Sequence, residues 1–190
     1  MPFAVYLIPL GEVSGNRWDE IRRTRGRGGN VMRTAYKVLA YLVATEVAVQ
    51  AMVIVWAIAG LGKWVDSGGV FDKAVIEGDD SAMPFPEVLG ILVHGMNGMF
   101  VIPGLALLLL IVSFFTKMRG AIKWAVIVFV LVVAQGQIGF LGHDFPLAGL
   151  LHGLNAFAIF AVALYAARRV RPVISVGEKQ PDAHTATPVS

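Results

Sequence analysis

The chain has no cysteine. That absence excludes disulfides, thiolate metal sites, cysteine-linked haem and cysteine nucleophiles together. Charge is scarce as well: Asp, Glu, Lys and Arg make up 15% of a 190-residue sequence in which 56% of residues are hydrophobic. A single domain of this length cannot hide so much hydrocarbon from water, so a lipid-facing surface is implied. Basic residues are short in two particular places. Residues 61–87 and the turn at 143–146 hold only Lys63 and Lys73, against seven acids: Asp66, Asp72, Glu77, Asp79, Asp80, Glu87 and Asp144. No aromatic interleaving or binding fold accompanies the basic residues elsewhere, so nucleic acid is not an expected partner.

What is present is four apolar stretches, at 38–60, 88–115, 121–141 and 147–167. Each reaches the roughly 20 residues that cross a hydrocarbon layer of about 30 Å at helical rise. Backbone amides in lipid must be satisfied within their own segment, so these are predicted helices. The remaining Lys and Arg cluster before the first stretch (Arg17, Arg22, Arg23, Arg25, Arg27, Arg33, Lys37), around the second connection (Lys117, Arg119, Lys123) and after the fourth stretch (Arg168, Arg169, Arg171, Lys179). The positive-inside rule then places both termini in the cytoplasm. Trp56 and Trp64 fall near the outer boundary, and Tyr36, Trp124 and Tyr165 near the inner one, as aromatic belts. The expected fold is an all-α transmembrane four-helix bundle.

The expected division is a basic cytoplasmic segment at 1–37, a membrane domain at 38–167 and a disordered cytoplasmic tail at 168–190. The run at 3–10 contains Pro9 and is too short to span, so it reads as cytoplasmic or interfacial and not as a signal peptide. Gly26, Gly28 and Gly29 are expected to spoil a stable helix in the basic segment, which reads as a topology anchor against anionic lipid.

A short pattern occurs twice. Phe85-Pro86 leads to His94-Gly95-Met96-Asn97, and Phe145-Pro146 leads to His152-Gly153-Leu154-Asn155. The preceding helix carries glutamine in each case, Gln50 in the first and Gln135 with Gln137 in the third. This predicts a bundle built from two similar helical hairpins. Both histidines then sit about 9–12 Å below the outer boundary. Gln50, His94, Asn97, Gln135, Gln137, His152 and Asn155 form a polar belt at that depth, with Glu46 one turn deeper. Such side chains are costly against lipid and should face inward. Gly90, His94, Asn97 and Gly98 share one helical stripe, and Ala148, His152, Asn155 and Ala156 another. With Gly95 and Gly153 alongside, these small residues are expected to leave space for something flat.

Three readings of the belt follow. One is a b-type haem between the second and fourth helices, with His94 and His152 as axial iron ligands and Asn97, Asn155, Gln50, Gln135 and Gln137 orienting the imidazoles' remaining N–H groups. Lys63 and Lys73 are the only basic residues near its propionates. The second is interhelical glue in a cofactor-free structural or accessory subunit. The third gives Glu46 a proton-carrying or quinone-contacting role, up to that of a small proton-coupled carrier. A zinc or copper site from two histidines and Glu46 lacks any paired His–carboxylate spacing. Asp144 suits a helix cap, His143 a cap or a gate, and His184 has no assigned role. Pro103 is expected to kink the second helix and free the Met99 carbonyl.

The His-bearing second helix, Gln135-Gly136-Gln137-Ile138-Gly139 and Leu150-Leu151-His152-Gly153-Leu154-Asn155 together resemble a family of small four-helix membrane proteins frequent in high-GC Gram-positive bacteria and archaea. The layout is similar to one half of a haem A synthase, whose four-helix unit presents ligand histidines from its second and fourth helices near the outer face. The resemblance covers about residues 38–169. It implies a prokaryotic cell membrane and a haem pocket. The synthases' glutamate three residues before the first histidine and arginine just after it are here Ile91 and Gly95, so synthase chemistry is not implied. An electron-transfer cytochrome fits better than an enzyme. Its expected partners are the lipid bilayer, a redox partner or larger membrane complex, and further copies of the chain.

Overall fold

The structure, a computed structural model, describes residues 13–73, 75, 83–142, 144–169 and 171–172. Four of its helices are long and apolar enough to cross a membrane: Gly28–Asp66, Pro86–Ser113, Ala121–Leu141 and Pro146–Arg168, called spans one to four. They match the four apolar runs of the sequence. The first belongs to one helix, α1, running Val13–Asp66 without interruption. The glycines at 26, 28 and 29 therefore do not stop it. Each costs about 1 kcal/mol in a helix, which does not outweigh propagation from a span already nucleated in lipid.

Span two is compound. A 3₁₀ turn at Pro86–Val88 leads into α2 (Leu89–Met96), then a π-helical turn at Asn97–Val101, then α3 (Ile102–Ser113). The Ile102 N–H reaches back to the Asn97 carbonyl, five residues away. This is how the helix accommodates Pro103, whose ring lacks an N–H and crowds the carbonyl four residues before it. The expected simple break at Met99 is replaced by a wide turn that inserts one residue. Spans three and four are α4 (Ala121–Leu141) and α5 (Pro146–Arg169).

Spans one, two, three and four pack in cyclic order, so spans two and four stand on a diagonal. One hydrophobic core fills the half of the bundle nearest the Lys/Arg clusters. It runs from Tyr36, Leu109, Ala121 and Ala166 up to Val47, Ile102, Val132 and Ile159, just short of the polar residues. Small side chains dominate its tightest layers, with Ala40, Ala106, Ala125 and Ala163 fully buried, as close helix approach in lipid requires. Tyr36 belongs to this core and not to an aromatic belt: it is fully buried and its hydroxyl donates to the Ala121 carbonyl at 3.1 Å. Trp124 and Tyr165 pair with ring centroids 4.5 Å apart. At the same end Met118–Arg119 pairs antiparallel with Arg171–Pro172, clipping the link between spans two and three to the exit of span four.

Beyond the core the bundle is held differently. There α2 packs chiefly on span one. At Gly90 a Cβ would press into the Val53 carbonyl oxygen and lie 2.9 Å from Ala57 Cβ; at Gly98 it would lie 2.8 Å from Gln50 Nε2. Those two glycines allow span one to lie against α2, and the space expected beside them is filled. Trp64 stacks on the buried Phe85 at 5.5 Å between centroids. Phe145, its counterpart before span four, is 63% exposed.

Candidate functional site: a histidine pair held by two glutamine clasps

The polar layer begins where the apolar core stops. In the first hairpin, Gln50 Nε2 donates to the His94 carbonyl at 2.9 Å, and His94 Nδ1 lies 3.2 Å from the Gln50 carbonyl. In the second, Gln135 Nε2 donates to the His152 carbonyl at 3.0 Å, and His152 Nδ1 lies 3.2 Å from the Gln135 carbonyl. Each glutamine side chain grips the histidine's main chain while each histidine ring grips the glutamine's main chain. The sequence reading had given the ring N–H groups to amide side chains; backbone carbonyls hold them instead.

This has a chemical consequence. A carbonyl oxygen only accepts, so each neutral ring carries its proton on Nδ1 and leaves Nε2 with its lone pair. The two rings come from diagonal spans and meet across the bundle, with centroids 6.1 Å apart and planes inclined at 51°. Gly139 makes the second ring's position possible, since a Cβ there would lie 3.1 Å from His152 Cε1 and Nδ1. Gly95 and Gly153, next to the histidines, are open: a Cβ at either meets nothing within 4 Å.

The asparagines one turn on divide. Asn155 Nδ2 donates to the Leu131 carbonyl at 2.9 Å and to Gln135 Oε1 at 2.7 Å. Asn97 Nδ2 donates to Glu46 Oε2 at 2.8 Å. Thus the first hairpin holds two separate pairs, Gln50 with His94 and Asn97 with Glu46, whereas Gln135, His152 and Asn155 form one network in the second. Gln137 joins neither. It is exposed and has no hydrogen-bond partner among the described residues, because it sits two positions from Gln135 and so points off that helix face. Among the described residues Asp144 makes no side-chain hydrogen bond, and the Phe145 carbonyl takes the Ala148 N–H. His143, His184 and the tail beyond residue 172 lie outside the described residues. The reciprocal main-chain grip and the π turn were missed by sequence reasoning, although Pro103 three residues after Phe100 marks where the ladder must change.

Among the described residues no group of three or more His, Asp and Glu is placed to hold a metal ion. No protein-family model, curated protein or solved structure matches the chain. Fold and site therefore define its class: a multi-pass membrane protein with four candidate spans packed as a helical bundle.

Proposed function

We propose that this protein is a bis-histidine b-type haem protein that passes electrons close to the non-cytoplasmic face, with both termini inside and the two hairpins descended from one duplicated unit. The observation that carries the haem reading is the histidine pair. Two imidazoles bound to one iron at about 2 Å each, with ~1.15 Å from nitrogen to ring centroid, put the centroids about 6.3 Å apart; these stand at 6.1 Å. Main-chain carbonyls on both Nδ1 atoms supply the outer hydrogen bonds that metal-bound imidazoles take, so each Nε2 keeps its lone pair for a metal. Two protein ligands are too few for a zinc or copper centre, yet they are the full protein share for a macrocycle that brings four nitrogens of its own. The apolar core ends at Val47 and Val132, just short of the pair. Haem bound in this way supplies one-electron oxidation and reduction.

The duplication rests on the matched clasps, whose corresponding bonds have equal partners and lengths of 2.9 and 3.0 Å for the amide bonds and 3.2 Å for both ring bonds. A cofactor-free accessory subunit is the second reading, favoured by one fact: both clasps are complete without any cofactor. Absorbance separates the two. Protein purified from haem-replete cells shows a Soret band that shifts, and an α-band that sharpens, on dithionite reduction. His94→Ala and His152→Ala each abolish this bis-histidine spectrum. Colourless wild-type protein refutes the haem reading.

A further inference from the structure

The two hairpins differ in the fate of one atom. Gln135 Oε1 receives Asn155 Nδ2. Among the described residues Gln50 Oε1 receives nothing, although Gln50 is only 8% exposed. The reason lies one turn away. Asn97, which follows its histidine at the same offset as Asn155, donates instead to Glu46. Glu46 stands four residues before Gln50, and the residue four before Gln135 is Leu131. A carboxyl group in the first hairpin thus draws off the donor that closes the second, and the π turn beginning at Asn97 occurs only on that side among the described spans.

The i, i+4 spacing sets the Glu46 carboxylate and the Gln50 amide oxygen one above the other on the same helix face. The amide oxygen only accepts, and so does the carboxyl group unless it carries a proton; without that proton neither satisfies the other. Buried acceptors are normally hydrogen-bonded; Glu46 is half-buried and already takes Asn97 on Oε2, so it is Gln50 Oε1 that calls for a donor from outside the described residues. We propose that Glu46 and Gln50 form a binding site for a small O–H donor, present in the first hairpin and closed in the second. Two sources offer that chemistry within a bilayer: a buried water, whose two hydrogens serve both acceptors, and the hydroxyl of a lipid-soluble hydroquinone. The site stands whether or not haem is bound.

Two substitutions close it by different routes. Glu46→Leu copies Leu131 and releases Asn97 to donate to Gln50 Oε1. Glu46→Gln keeps the shape and offers its own amide N–H to that oxygen. The test uses the full chain in phosphatidylcholine nanodiscs, titrated calorimetrically with a decyl-substituted benzohydroquinone and examined by infrared spectroscopy after exchange into H₂¹⁸O. The wild type either saturates with one hydroquinone per chain or, without such binding, shows an isotope-sensitive O–H band from a bound water. Both variants lose whichever signal is present by at least tenfold. Neither signal in the wild type means that Glu46's own proton closes the pair, and the proposal falls. It falls equally if the signal persists in both variants. Neither readout needs haem, so failure here is distinct from failure of the cofactor reading.

Discussion

Gly90 holds α2 against span one, and replacing it with alanine tests how the first clasp is positioned. The added methyl meets the Val53 carbonyl oxygen and Ala57 Cβ, with the Trp56 ring 3.2 Å away. A backbone carbonyl inside a helix cannot rotate aside, so α2 must move away from span one. Overpacking of this kind costs about 1–3 kcal/mol. Against it stands the gain of about 0.8–1 kcal/mol that any Gly→Ala change brings to a helix interior. Gly95→Ala is the internal control: it carries the same gain in the same helix, and its methyl meets nothing within 4 Å. The propensity gain cancels between the two variants. Haem-free G90A should therefore unfold about 1–3 kcal/mol more easily than haem-free G95A, measured by reversible denaturant titration in mixed micelles. Because the clasp bridges the same two helices, G90A should also expose the amide of Gln50 to faster hydrogen exchange. Equal stabilities, or a more stable G90A, would refute the packing argument.

The two clasps should differ in strength. Gln135→Leu removes a donor to His152 and an acceptor for Asn155, whereas Gln50→Leu removes a donor to His94 and an oxygen that has no partner among the described residues. At about 0.6–2 kcal/mol for each interhelical bond, Q135L should lose more stability than Q50L in the same titration; the reverse order contradicts the bond inventory. Gly139→Ala pushes on the His152 ring and Gly136→Ala meets nothing, so in haem-loaded protein only G139A should alter the Soret position and the low-spin magnetic spectrum. Tyr36→Phe deletes the buried bond to the Ala121 carbonyl and should cost about 0.5–1.5 kcal/mol in thermal or denaturant unfolding, with the visible spectrum unchanged.

The spans were legible because lipid imposes a length and a composition that few other environments demand. Ala121–Leu141 is bounded identically by sequence and structure. The polar layer was legible for a related reason: amides and imidazoles at membrane depth have to turn inward, and the twofold pattern around His94 and His152 set them level. What escaped is what main chain decides. The partner of each Nδ1 is a carbonyl, which every residue possesses, so no side-chain pattern announces it. The π turn follows from Pro103, yet a proline permits several repairs, and the choice among them depends on how α2 seats on span one. Gly90 and Gly98 were read as clearance for a ligand; a sequence shows that a residue is small but not which neighbour takes advantage of it. Tyr36 sits at a depth where aromatics often meet headgroups, and only the contact with Ala121 reveals that it turned inward.

Since each clasp joins one amide and one ring to the other helix's peptide groups, it fixes the phase and height of two helices without asking anything of the apolar side chains around them. Those neighbours are free to drift among aliphatic residues so long as their volume is kept. What cannot drift is the glutamine, the histidine and the glycines that let them close. A distant descendant of this chain should therefore be recognisable by a handful of residues set in an otherwise unfamiliar hydrocarbon sequence.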